Sequence, residues 1–223
     1  MPKVPDTDWS QRWREGRTGW HHGEPMPLLM QHWPALGLPA GSRVLVPLAG
    51  KSLDMLWLAQ QGFSVLGVEL SPLAVKQFFA ENHLVAQSQR EVDGMHYSAA
   101  GIEVIQGDIF KVAARVFESC PAVYDRAAII ALPLPLRQRY AHEVYGKLPP
   151  DCRGLMITLE YPQAEMPGPP FSVDATELYR LFDAERKLEL LERRDILASQ
   201  PGFKEAGVNT LSTAVYRLQR GAR

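Results

Sequence analysis

Between Arg43 and Leu218 the chain alternates short continuous apolar runs with stretches whose apolar residues recur at helical spacing. Val44–Leu48 is apolar at every position, the pattern of a strand buried on both faces. Pro47 has no N–H to give a ladder, so it belongs at that strand's end. Leu53, Leu56 and Trp57 share one helical face, with Ser52 placed to cap the helix and Gly62 to stop it. Phe63–Leu70 is the next strand, and Ser71-Pro72 is a cap followed by proline at the first helical position. Leu73, Phe78 and Phe79 mark the helix that follows. Further apolar runs at Ile102–Ile105, Tyr124–Leu132, Leu155–Tyr161 and Ser212–Leu218 predict strands. Between them, Tyr140, Ala141, Val144, Tyr145 and Leu148 repeat at helical spacing, and Asp174 with Glu177 resembles a capping box before Leu178, Leu181 and Phe182. Lys187–Arg194 fits either a strand or a continuation of that helix.

Strand and helix in strict alternation require parallel crossovers. The predicted fold is therefore α/β: a doubly wound, mostly parallel, seven-stranded sheet with helices on both faces. Its last two strands form an antiparallel pair at one edge. The turn cluster Pro167-Gly168-Pro169-Pro170 reads as a rigid loop, because too little chain follows it for a second core. One domain is expected over 1–223, with an α/β core over 36–223. Residues 1–35 fall outside the pattern, carry four of the five tryptophans, and are expected to form an N-terminal helical lid.

Composition narrows the class without naming a chemistry. Lys plus Arg is 24 and Asp plus Glu is 25, a formal charge of −1, which argues against a nucleic-acid binder or a basic membrane-surface protein. A 46% hydrophobic fraction is ample for a packed core. No apolar run reaches the roughly eighteen residues of a membrane span, and the first residues are too polar for a secretory signal. Cys120 and Cys152 cannot build a disulfide framework or a zinc ribbon. A monomer in the cytoplasm is the expectation.

In an open parallel sheet, ligands sit beyond the carboxyl ends of the strands at the topological switch point. The residues predicted there are Leu48-Ala49-Gly50-Lys51-Ser52, Glu69, Asp108-Ile109-Phe110 and Asp125-Arg126. Glu69 ends the second strand 19 residues after Gly50, where a carboxylate accepts hydrogen bonds from both hydroxyls of a ribose. The alternative for it is a surface salt bridge. Asp108 can reach an adenine amino group, or can be only a turn residue after Gly107. Gly50-Lys51-Ser52 is not a phosphate loop, because Leu45 stands where that motif needs its first glycine. The G-x-G-x-x-G fingerprint is also absent, so an adenosine cofactor without phosphates is favoured, S-adenosylmethionine being the common one. Trp9 and Trp13 are four apart and would share a helix face, and aromatic faces attract a sulfonium cation. The alternative is that they plug the sheet edge; Trp33 and Trp57 read as core. His21-His22 reads as a polar turn, the other histidines as unclustered, and no metal is expected.

The segments WSQRWREGRTGWHHG, VLVPLAGKSLDMLWLAQQGFSVLGVELS, GDIF, YDRAAIIALP and PGPPF together resemble the thiopurine S-methyltransferase family in its bacterial form, over nearly the whole chain. The resemblance implies a class I methyltransferase fold and S-adenosylmethionine as methyl donor. It implies that Trp13 contacts the cofactor from the lid and that Leu48 meets it where the first strand ends. Glu69 would hold the ribose, and Asp108 and Ile109 would flank the adenine. Arg126 would lie near the methionine end and the acceptor, and Trp20 would face the acceptor. Ala49 stands where the family usually has Cys. The implied reaction is methyl transfer to the sulfur of an aromatic or heterocyclic thiol, with selenium and tellurium species as further acceptors. Three other readings are a class I methyltransferase for a small O or N acceptor, a nicotinamide-dependent oxidoreductase, and a non-catalytic binding domain.

Overall fold

The computed structural model describes residues 8–182 and 186–220, so the first seven residues of the predicted lid lie outside the described part. The chain opens with α1 (Trp9–Arg14) and α2 (Pro27–His32) and enters β1 (Arg43–Pro47), α3 (Asp54–Gln60), β2 (Ser64–Glu69) and α4 (Pro72–Glu81). A hairpin, β3 (Gln87–Glu91) and β4 (Gly94–Ala99), leads to β5 (Ile102–Gln106), α5 (Ala114–Glu118) and β6 (Ala122–Arg126). The remainder is α6 (Leu134–Glu143), β7 (Arg153–Glu160), α7 (Ala175–Phe182), β8 (Arg186–Asp195), α8 (Pro201–Glu205) and β9 (Ser212–Arg220).

The strands form one sheet in the order β3-β4-β5-β2-β1-β6-β7-β9-β8. The expected seven strands are all present, but among the described residues the sheet has nine and is mixed, not mostly parallel. Its pairings divide evenly, with four parallel (β1/β2, β1/β6, β2/β5, β6/β7) and four antiparallel (β3/β4, β4/β5, β7/β9, β8/β9). The extra pair is the β3–β4 hairpin. Its outer strand, Gln87–Glu91, is polar and exposed at every position, so no apolar alternation announces it. Lys187–Arg194 resolves as part of a strand, β8, pairing antiparallel with β9 at the far edge. The run Tyr124–Leu132 is not a single strand. It leaves the sheet at Arg126, turns through Ala127 at φ 62°, and continues as a short 3₁₀ turn over Ile129–Ala131.

Alternation along the strands fills two layers. Leu45, Leu66, Val68, Ile105 and Val123 face α5, α6 and α7, where Phe117, Tyr140 and Leu178 meet them. Val44, Val46, Val65 and Val104 face the other way, onto Met55, Leu58 and Phe78. Leu28, Leu29, Trp33 and Leu36 join this second layer, so the part of the amino-terminal segment from Met26 onward packs as core and only Asp8–Pro25 stands apart from it. Capping follows the sequence closely at α4, where Ser71 Oγ accepts from the Ala74 N–H at 3.3 Å. At α3 the helix begins at Asp54, and Ser52 Oγ accepts from the Asp54 N–H. At α7, Asp174 caps the Glu177 N–H, but the Glu177 carboxylate turns to Arg137 and does not close the box. Among the described residues no helix is long and apolar enough to cross a membrane.

Candidate active site

β1 lies between β2 and β6, and successive crossovers leave it in opposite directions, toward β2 and β5 on one side and β6 and β7 on the other. The switch point therefore lies at the carboxyl ends of β1 and β6. Leu48, Gly50, Glu69, Asp108, Ile109 and Arg126 all fall at the carboxyl ends of the four adjacent strands β5, β2, β1 and β6, as the sequence placed them.

Glu69 is almost fully buried. Its Oε2 accepts from the Gly50 N–H at 2.8 Å and its Oε1 from the Ser71 N–H at 2.6 Å. Burial raises its pKa, with the bonds from Ser71 and Gly50 opposing the rise. It is therefore not a surface salt-bridge acid. It binds together the loops after β1 and β2, and each oxygen keeps acceptor capacity. The loop after β1 is conformationally demanding: Leu48 sits at φ 47° and Gly50 at φ 56°. A side chain at Gly50 would stand 3.2 Å from Trp13 Cζ2, so the absence of a Cβ lets the indole lie against the loop. Two of the four described non-glycine residues in left-handed backbone, Leu48 and Ala127, flank the switch point, and such residues are common at ligand sites; His83 and Ala100 lie elsewhere.

Asp108 caps its own turn, with Oδ1 accepting from the Phe110 N–H at 3.0 Å, and Ile109 is buried beside it. The Gly107 N–H donates to the Glu69 carbonyl at 2.9 Å, which ties this turn to the end of β2. Arg126 does not pair with Asp125. Its Nη1 donates to the Trp20 carbonyl at 2.9 Å, joining β6 to the amino-terminal segment. Asp125 points the other way, fully buried, and accepts from Tyr140 at 2.8 Å, Tyr145 at 2.9 Å and the Ile129 N–H at 3.1 Å. Trp9, Trp13 and Trp20 form one cluster, Trp20 meeting the other two edge to face at 5.2 and 5.7 Å. Trp33 is core, as expected.

Sequence reasoning gave no role to several residues near these strand ends. Asp54 is buried, accepting from the Met26 N–H at 2.7 Å and the Tyr124 hydroxyl at 3.0 Å, so it anchors the base of the amino-terminal segment. The loop through Pro170 is tied back to the turn after β6, the Phe171 N–H donating to the Ile130 carbonyl at 2.7 Å. Burial chiefly lowers the pKa values of His21 and His22, helped by Lys51 and then Arg126 at His21 and by Arg126 at His22. Lys51 itself pairs with Glu81, which removes the last attraction of a phosphate-loop reading. A cavity of about 600 Å³ between α6 and α7 contains none of these residues.

A doubly wound sheet with an acidic residue ending its second strand, and no phosphate-binding glycine loop, is the arrangement of a class I S-adenosylmethionine-dependent methyltransferase. Solved structures agree on the fold. The 1,6-didemethyltoxoflavin-N1-methyltransferase of Burkholderia thailandensis superposes with a TM-score of 0.62 at 17% identity, covering 98% of this chain and 88% of that one. An arsenic(III) S-adenosylmethionine methyltransferase of Chlamydomonas reinhardtii gives 0.59 at 19% identity, over 83% and 66% of the two chains. The family model for thiopurine S-methyltransferase (TPMT) matches residues 4–221. A thiopurine S-methyltransferase of Xanthomonas axonopodis pv. citri is 61% identical over 95% of this chain and 97% of its own. One of Bordetella parapertussis is 55% identical over the same shares. The chain belongs to the thiopurine S-methyltransferase family, and its methyl donor is S-adenosylmethionine.

Proposed function

We propose that the protein transfers the methyl group of S-adenosylmethionine to the sulfur of aromatic or heterocyclic thiols such as thiopurines, and that selenium or tellurium species enter the same pocket. The observation that carries the site assignment is the double seam closing the switch point, with Trp13 on Gly50 and the Trp20 carbonyl on Arg126. It places an aromatic cluster and a guanidinium over the strand ends.

The residues fit the donor. Glu69 offers a buried, pre-oriented carboxylate for the ribose hydroxyls, and Gly50 leaves room for close approach. Asp108 and Ile109 flank the adenine, Leu48 meets the donor at the end of β1, and Trp9 and Trp13 shield the sulfonium end. When bound, S-adenosylmethionine supplies an electrophilic methyl carbon. The protein's part is to hold the acceptor sulfur in line with it, an effect worth up to about 7–11 kcal/mol, and to exclude water beneath Asp8–Pro25. Thiolates of this class are largely ionised near neutral pH, so no strong base is required. Arg126 steadies the anionic acceptor, with the Trp20 ring as its wall. The buried free cysteines suit a reducing compartment, and we propose a cytoplasmic monomer.

Labelled S-adenosylmethionine offered with thiol, selenium, tellurium, oxygen and nitrogen acceptors tests this reading. Transfer to thiols is expected to dominate. Transfer confined to oxygen or nitrogen acceptors would overturn it. Arg126→Ala is expected to lower turnover more than donor affinity, and unchanged values for both would remove Arg126 from the site.

A further inference from the structure

A second constellation lies on the hairpin that the sequence pattern did not reveal. In the register of β3, β4 and β5, Gln89 pairs with His96 and His96 with Ile105, so Glu91, His96 and Glu103 project from one face of three neighbouring strands. Asp93, in the tight turn between β3 and β4, folds onto the same face. A carboxylate oxygen of Glu91, one of Asp93 and a ring nitrogen of His96 all lie within 4.8 Å of one another. His96 Nε2 is 2.9 Å from Asp93 Oδ1, and His96 Nδ1 is 2.7 Å from Glu103 Oε1. Glu103 is held in turn by Arg43 at 2.6 Å.

Two features distinguish this group from an ordinary acidic surface. The Asp93 side chain is only 5% exposed, and its Oδ2 is buried and makes no well-aligned hydrogen bond, although the backbone N–H groups of Asp93 and Ala113 stand near the carboxylate. A buried carboxylate oxygen without a well-aligned donor is the kind of group a cation satisfies. The imidazole also has the outer-sphere support typical of a metal ligand, one ring nitrogen fixed by a carboxylate so that the other faces the site.

We propose that Glu91, Asp93 and His96 bind a divalent transition-metal cation, with Glu103 orienting the imidazole from behind. One imidazole and two carboxylates are a donor set suited to Zn²⁺, which takes three protein ligands and completes its shell with water. Binding exchanges the proton on His96 Nε2, now shared with Asp93, for the metal, and that proton goes to solvent. The site staples the hairpin where it adjoins the donor pocket. The Asp93 carbonyl lies so close to Gly107 that a Cβ there would meet it at 2.4 Å, and Gly107 immediately precedes Asp108.

The experiment is a Zn²⁺ titration of chelator-treated full-length protein in competition with a chromophoric zinc indicator, alongside thermal unfolding with and without Zn²⁺. Ca²⁺ serves as the second probe. Saturable one-to-one Zn²⁺ uptake that raises the unfolding temperature is expected, with Ca²⁺ inactive. His96→Gln is expected to abolish it, and Glu91→Gln, a change at an exposed position, to weaken it while leaving the fold intact. Glu103→Gln should weaken it by about 10–100-fold, the usual effect of removing a supporting carboxylate. No saturable uptake would mean the group is an ionic clamp alone. Equal uptake by wild type, His96→Gln and Glu91→Gln would mean the metal sits elsewhere. A preference for Ca²⁺ would overturn the transition-metal assignment.

Discussion

Glu69 is an acid placed where acids are costly, and its neighbours make its charge useful. Backbone donors from Gly50 and Ser71 aim both oxygens, while burial raises its proton affinity. Ribose hydroxyls donate best to the ionised form. If Glu69 holds the ribose as proposed, donor affinity is expected to be complete above its raised pKa and lost as pH falls through it, at a pH where ordinary carboxylates are still charged. Calorimetric titrations at successively lower pH should show this loss at a higher pH than an ordinary carboxylate would give, and Glu69→Gln should flatten it. At neutral pH, Glu69→Ala is expected to weaken donor binding by about 1–3 kcal/mol, and wild-type affinity would exclude the ribose role. Asp125 acts on stability. Asp125→Ala leaves the Tyr140 and Tyr145 hydroxyls buried without an acceptor, at about 1–3 kcal/mol each. A loss of roughly 2–6 kcal/mol in urea unfolding is expected.

At the scale of elements, the loop after β1 governs whether α1 can dock. Gly50 has φ 56°, and a Cβ there would press on Trp13 Cζ2 at 3.2 Å. Gly50→Ala combines left-handed strain of about 1–2 kcal/mol with a clash that lifts the indole. Turnover should fall further than the unfolding free energy, and equal losses would mean the contact is only structural. The legibility of elements follows their burial. β1, β2 and β5 are buried on both faces and announce themselves as apolar runs. β3 is exposed along its whole length, so nothing in its composition separates it from a loop. The end of β6 was hidden differently: Ala127 takes a left-handed turn that alanine does not signal, and an apolar run continues beyond it. Glu69, Gly50 and Arg126 were legible because strand ends can be counted. Asp54 was not, because its partners Met26 and Tyr124 are 28 and 70 residues away.

For the whole molecule, the near-zero charge suits a protein that grips small molecules with a few placed groups. Asp8–Pro25 stands outside both core layers, whereas Met26–Leu36 completes one of them. Removing residues 1–20 is therefore expected to leave cooperative unfolding in place and abolish methyl transfer. Retained activity would make the tryptophan cluster structural. The sequence by itself determined the alternation of strand and helix, and hence the switch point and the acid at its edge, because burial on both faces and helical periodicity are written in local composition. Tertiary structure alone decided where the amino-terminal segment joins the core, which groups Arg126 and Asp125 engage, and that His96 meets two acids on a hairpin. Each of these depends on a contact between residues far apart in the chain, or on an exposed strand held by backbone pairing, and neither leaves a local pattern to read.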